Sequence, residues 1–121
     1  MIITPDLLRA WMACTPQLDL FTEEYPKGVE LTRQLLVDRG RSYDLSWLAS
    51  QIILGEARGV YLNATAAARK VNTLAACDAW EAFVGAGRTT AALAVHGATM
   101  EAAAVVYHQQ VANALADALR L

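Results

Sequence analysis

From Arg88 to Leu121 the chain runs for 34 residues with no proline and a single glycine, Gly97. Within this run Leu93, Met100, Tyr107, Ala114 and Leu121 recur every seven residues. On an α-helix such a repeat drifts by only about 20° per step, so all five share a face. Ala103, Ala104, Val111 and Ala118 broaden that face into the wide apolar stripe of a core helix. The polar Glu101, His108, Gln109, Asn113 and Asp117 fall mostly on other faces. The pattern predicts one long helix over about 89–119, with earlier helices packed against it.

The alanine distribution says what kind of packing to expect. Of the 24 alanines, 20 follow residue 63. Alanine loses no side-chain entropy in a helix, and it lets neighbouring helix axes approach to about 8 Å. A second helix, capped by Asn63 or Thr65 and reaching Val84, is predicted to fold back on the last one as a closely spaced hairpin. Val71, Leu74, Ala75, Cys77, Trp80, Phe83 and Val84 are its expected apolar positions. Gly85-Ala86-Gly87 ends it, and Thr89 or Thr90 caps its successor.

The first half carries bulkier residues, among them Trp11, Phe21, Tyr25, Tyr43 and Trp47, on shorter segments. Thr4-Pro5 is a helix start, since threonine caps and proline at the first turn gives up no needed donor. Leu7, Leu8, Trp11 and Met12 form its apolar side, and Pro16 places its end near Cys14. Thr15-Pro16 starts a second helix with Leu18, Phe21 and Tyr25 inward, stopped by Pro26-Lys27-Gly28. Thr32 caps a third, ended by Gly40. Asp44 caps a fourth, with Leu45, Leu48, Ile52 and Trp47 turned inward. Gly55-Glu56-Ala57-Arg58-Gly59 is expected to be a turn. No stretch alternates apolar and polar residues over a strand's length. The expected fold is all-α: one domain, residues 1–121, of five to six helices, in which short helices (1–60) brace an alanine-rich C-terminal hairpin (61–121).

Composition excludes several classes of function. The net charge is −2, with 6 basic and 8 acidic side chains in residues 1–60 and 4 of each in 61–121. Neither half offers the basic surface that phosphate-backbone binding needs, so no direct nucleic-acid partner is expected. The most apolar window, Ala91 to Tyr107, is broken by His96 and Glu101 and is shorter than the roughly 20 apolar residues of a membrane span. MIITPDLLRAW has no basic segment leading into an apolar one, which predicts no export signal. With Cys14 and Cys77 as the only cysteines and no CxxC, a cytoplasmic protein with reduced thiols is expected.

Residues capable of chemistry do not assemble into a recognisable constellation. His96 and His108 are twelve apart, about 120° around the helix. Glu101 and His108 share a face but are separated by about 10 Å of rise, and the neighbouring helix offers Asp78 and Glu81 for a site between helices. Zinc sites show tighter spacing, so no metal and no cofactor are expected. Cys14 falls at a helix C-terminal end and Cys77 on an apolar helix side, which predicts buried, unreactive thiols. Ser42, Ser46 and Ser50 occur in no nucleophile elbow. Gly85-Ala86-Gly87-Arg88-Thr89 supplies donors at a helix start, as an anion site would, but it matches neither phosphate-binding pattern and is explained by a C-cap followed by an N-cap.

What remains is surface suited to a partner. Arg33, Arg39 and Arg41 cluster near Tyr43 and Trp47, the arginine–aromatic mixture enriched at interfaces. Asp19, Glu23, Glu24, Glu30 and Asp38 form an acidic surface in the same half, complementary to a basic partner. Asp19, Glu23, Glu24, Arg39, Arg41, Tyr43 and Trp47 are the candidate interface residues.

Ala13-Cys14-x-x-Gln17-x-x-x-Phe21, then Pro26-x-Gly28 with Thr32, then Asp44-Leu45-x-Trp47-Leu48-Ala49, resembles a module of small uncharacterised proteins of bacteria and their phages. The likeness covers about residues 7–50. In those proteins the module often precedes an alanine-rich helical tail, though their short alanine/tyrosine repeat is absent after Gly55. The resemblance implies an all-α, phage-borne protein and brings no catalytic residues. With the composition, it leads to the expectation of a non-catalytic protein-binding factor from a phage or prophage. Such a factor inhibits or modulates a host protein complex, an anti-CRISPR-type inhibitor being one concrete form. Two alternatives stand beside it. One is a self-associating structural or virion protein, a homo-oligomer built on the alanine-rich face. The other is a small enzyme with a cleft between the halves using His96, Glu101 or Arg88.

Overall fold

The computed structural model describes residues 1–121 as an all-α protein with one small strand pair. Helices α1 (Pro5–Ala10), α2 (Thr15–Glu24), α3 (Arg33–Arg39) and α4 (Leu45–Ile52) form a compact base, with a 3-10 turn at Gly40–Ser42. Two long helices follow, α5 (Gly55–Gly85) and α6 (Thr90–Ala118), packed antiparallel as a hairpin. Strands β1 (Ile2–Ile3) and β2 (Val29–Glu30) pair antiparallel, Ile2 opposite Glu30 and Ile3 opposite Val29. They tie the chain start to the α2–α3 connection. Two residues per strand are too few to show an alternating pattern, so the sequence carried no sign of them.

Side-chain caps set the helix starts where threonine and aspartate stand in the sequence. Thr4 Oγ1 accepts from the Leu7 N–H and Thr32 Oγ1 from the Leu35 N–H, both at 3.1 Å. Asp44 Oδ1 accepts from the Trp47 N–H at 2.9 Å, and Thr89 Oγ1 from the Ala92 N–H at 3.1 Å. Each satisfies one of the orphan donors of a first helical turn and contributes about 1 kcal/mol. Helix α2 lacks such a cap, Cys14 occupying the position that Thr15 was expected to hold.

Two expected boundaries are corrected. Helix α1 stops at Ala10, not near Cys14, because Met12 takes a left-handed backbone with φ 62°. The Met12 N–H then donates to Arg9 O and the Ala13 N–H to Leu8 O, the paired closure of a Schellman turn. Glycine normally marks that turn, and its absence hid the stop. The Gly55–Gly59 segment is the first turn and a half of α5 rather than a loop, so the helix starts eight residues before Asn63. A glycine inside a helix costs about 1 kcal/mol, which is outweighed here by Tyr61 burying itself, with Ala57 beside it, against the core.

That core sits at the base of the molecule. Leu36 of α3, Leu45 and Ala49 of α4, Ile53, Tyr61 of α5, and Val111, Ala112, Leu115 and Ala116 of α6 join Ile3, Leu8, Phe21 and Leu31 in one cluster. Leu115 is wholly buried. Gly40 lets α4 approach, since a Cβ there would lie 2.7 Å from Leu45 Cδ1. Ion pairs clasp the base to α6: Arg33 donates to Asn113 and Asp117 at 2.9 and 2.5 Å, and Arg41 to both oxygens of Glu101 at 2.5 and 3.1 Å. The base therefore grips α6 from Glu101 onward. Beyond that point the hairpin projects with only its two helices to cover each other.

Candidate interaction surface

Helices α5 and α6 face each other through small residues. On α5 the inward row is Tyr61, Thr65, Ala68, Asn72, Ala75, Ala76, Ala79 and Phe83, all buried or half-buried. Apart from the adjacent Ala75 and Ala76, its spacing of three and four keeps it on one face. On α6 it is Ala92, His96, Met100, Ala103 and Tyr107. Near the tip the rings of Trp80, Phe83 and His96 cluster, with centroids 5.5–6.2 Å apart. The turn itself has Gly87 at φ 79° and Arg88 at φ 56°, and the Arg88 N–H donates to Phe83 O. The Arg88 guanidinium lies 5.8 Å from the Trp80 ring centre. A left-handed closure with a cation over an indole accounts for these residues.

Alanine on the inward row brings the helices close but leaves much apolar surface uncovered. Val71, Leu74, Trp80 and Val84 were expected in the core, yet Val71 is 57% exposed and Leu74 56%. Trp80 and Val84 are exposed too. On α6, Leu93, Val95 and Val106 are likewise open, Val95 at 64%. One side of a helix suffices to pack one partner helix, and the sequence placed apolar residues on more than one. From Ala91 to Val106 the only polar side chains are His96, Thr99 and Glu101, and Glu101 is engaged by Arg41. A helix apolar on all sides is ordinarily a buried one.

Val71, Leu74, Val95 and Val106 belong to one continuous flank, whereas Trp80, Val84 and Leu93 lie on the opposite side of the hairpin. Asp78 and Ala82 of α5 and Val95 and Thr99 of α6 line one shallow groove of about 450 Å³ near the tip. Steps of three and four carry this row back along α5 through Leu74, Val71, Ala67, Ala64 and Val60, and along α6 through Ala102 and Val106. The surface area shows the same excess. A compact monomer of this mass exposes about 6,400 Å², whereas the chain exposes 7558 Å² and buries only 18 of its 121 residues. The surplus of roughly 1,200 Å², spread over both sides of the projecting hairpin, exceeds the about 800 Å² that one partner of a standard interface buries.

The interface residues expected in the first half take other places. Glu24 and Arg39 pair with each other, and the hydrogen bond to Glu24 holds the Arg39 guanidinium above its usual range. Arg41 is committed to Glu101, whose carboxyl its hydrogen bond and charge hold below the usual range. The Tyr43 hydroxyl is buried without a hydrogen-bond partner, and burial, with the Glu24 charge next, pushes its pKa up to about 12. Arg39, Tyr43 and Trp47 line a largely apolar cavity of about 280 Å³ whose other walls include Phe21, Tyr25 and Leu36. Asp19 and Glu23 stay exposed on α2. The structure thus brings Glu24, Arg39 and Tyr43 together within the base and leaves Asp19 and Glu23 on its outside.

Cys14 and Cys77 are both exposed, which corrects their expected burial. Cys14 lies in the extended link before α2, and Cys77 on a face of α5 that no other element covers. His108 sits beside Tyr107, and His96 is held among the tip aromatics, so the two do not meet. No three side chains of the His, Cys, Asp or Glu types converge on one point. No helix is long and apolar enough to cross a membrane. Comparison of the chain with protein-family models, with curated proteins and with solved structures finds no match.

Proposed function

We propose that the chain is a non-catalytic binding protein whose contact arm is the α5–α6 hairpin, with the short helices serving as its anchor. The single observation that carries this reading is the continuous apolar flank of the arm, left open in the isolated chain. Exposed patches of this extent cost solubility and are retained where a partner covers them. The arm is also a rigid presenter: two helices with a small-residue seam, fixed at one end by the core and by the Arg33 and Arg41 ion pairs. Modulation of a host complex is the particular form this activity takes if the partner is a host protein.

Affinity purification of the tagged chain from cells that carry its gene is the test. A stoichiometric partner is expected, either another protein or an untagged copy. Val71→Glu combined with Val95→Glu is expected to lose it, and Asp19→Lys combined with Glu23→Lys to keep it. Retention by the hairpin variant and loss by the α2 variant would move the contact to the acidic face. Absence of any stoichiometric partner would end the reading.

A further inference from the structure

We propose that the arm's flank is covered by a second copy of the same chain, laid antiparallel so that the two hairpin tips point in opposite directions. This rests on the reading of the hairpin as a contact arm, and adds to it the identity and geometry of the occupant. The surplus area comes first. Roughly 1,200 Å² of excess surface per chain, spread over both sides of the hairpin, exceeds the about 800 Å² that each partner of a specific dimer buries.

Charge then selects the occupant and its direction. Within ten residues of Leu74 the charges of α5 are ordered: Arg69 and Lys70 on its base side, Asp78 and Glu81 on its tip side. Lys70 and Asp78 stand four residues, about 6 Å of rise, to either side of Leu74. A two-fold axis through Leu74, perpendicular to the helices, sets Leu74 against Leu74 of the partner subunit. It also brings Lys70 to Asp78 of the partner subunit, within reach of that subunit's Glu81. The same operation repeats the pair on the other side, as an isologous interface requires. The two sides of Leu74 on α5 are therefore electrostatic complements of each other.

The alternative packing, with both tips at one end, lays α5 along α6 of the other copy. Lys70, Asp78 and Glu81 would then face the row of Val95, Thr99, Ala102 and Val106, which carries no charge. The one acidic residue of that stretch, Glu101, is already paired with Arg41. Charges left unpaired against apolar surface disfavour that arrangement, so the same residues that attract one register repel the other. On the favoured register Ala102 lies near the axis on α6, where its small side chain admits close approach.

Sedimentation equilibrium of the full chain tests the proposal, over a concentration series from low to high micromolar. The expected result is a reversible dimer of twice the 13.1 kDa chain mass. Leu74→Glu, at an open position, is expected to give a monomer with unchanged helical circular dichroism. Lys70→Glu alone and Asp78→Lys alone are each expected to weaken the dimer about tenfold or more. Lys70→Glu combined with Asp78→Lys is expected to restore it, because the pair is re-formed between copies with its signs exchanged. A wild-type chain that stays monomeric throughout overturns self-pairing. So does a dimer that the single reversals leave intact, or one that the double reversal fails to restore. A monomer that nonetheless recovers a different stoichiometric protein from its cells, sensitive to Val71→Glu with Val95→Glu, would sink this inference and leave the contact-arm reading standing.

Discussion

Leu115→Ala is the sharpest probe of how this chain is held together. Leu115 is 0% exposed and is the one large side chain fully enclosed, in a cluster drawing on α3, α4, α5 and α6. Its truncation removes buried methyl groups and leaves a void among walls fixed by four elements, which limits collapse. Substitutions of this kind cost about 2.7–5 kcal/mol, rising with the cavity that remains. A loss of about 3–5 kcal/mol is expected here. For a domain of this length each kcal/mol moves Tm by about 3–5 °C, so a fall of about 10–25 °C should accompany it. Leu93→Ala removes the same atoms from α6 at a position 57% exposed, and should cost less than about 1 kcal/mol. Urea unfolding followed by circular dichroism, at one fixed protein concentration because self-association adds its own stability, gives both values. Equal losses at the two leucines, or a loss below about 1.5 kcal/mol at Leu115, would refute a core confined to the base.

Four further outcomes follow from single features. Ellman's reagent should modify Cys14 and Cys77 in the native protein at rates close to those in denaturant, since both thiols are exposed. Thr89→Ala removes the cap on α6 and should lower stability by about 1 kcal/mol in the same unfolding assay. Tyr43 keeps its proton in the fold up to a pKa of about 12, against 10.0 for a free phenol; the unfolded chain releases that proton first, so stability should decline as pH rises from about 10 toward 12, and Tyr43→Phe should remove that part of the decline. Glu101 has a lowered carboxyl pKa through Arg41, so its contribution is present above the unfolded value of about 4.5 and is lost as pH falls through the folded one. In thermal melts across the acid range, Glu101→Gln should flatten the corresponding slope.

The all-α fold and the hairpin were legible in the chain because long proline-free, alanine-rich runs have few other ways to fold. Caps at Thr4, Thr32, Asp44 and Thr89 were legible for a similar reason, each being a local side chain-to-backbone device. The stop at Met12 was not, because its left-handed backbone is imposed by the closing hydrogen bonds of α1 and carries no glycine to announce it. The early start of α5 was hidden by two glycines that tertiary packing overrode. The greatest divergence concerns the apolar residues of the arm. Periodicity counts Val71, Leu74 and Trp80 as core positions, yet a two-helix hairpin has only one seam. Whether a second apolar stripe is core or contact surface depends on how many neighbours the helix has, which spacing alone does not encode. The candidate residues of the first half were equally undecided by sequence: Arg39 and Arg41 have their acidic partners 15 and 60 residues away.

Hydrogen–deuterium exchange along α5 and α6, read at a low and a high protein concentration, tests most directly an arm that is anchored at one end and covered from outside. In dilute solution, amides of residues 104–118 should exchange slowest and those of 80–100 markedly faster, because the former rest on the core and the latter on a single seam of small residues. At high concentration, or with a partner bound, the fast segment should slow while 104–118 stays unchanged. Uniform protection along both helices in dilute solution, with no response to concentration or partner, would contradict the account.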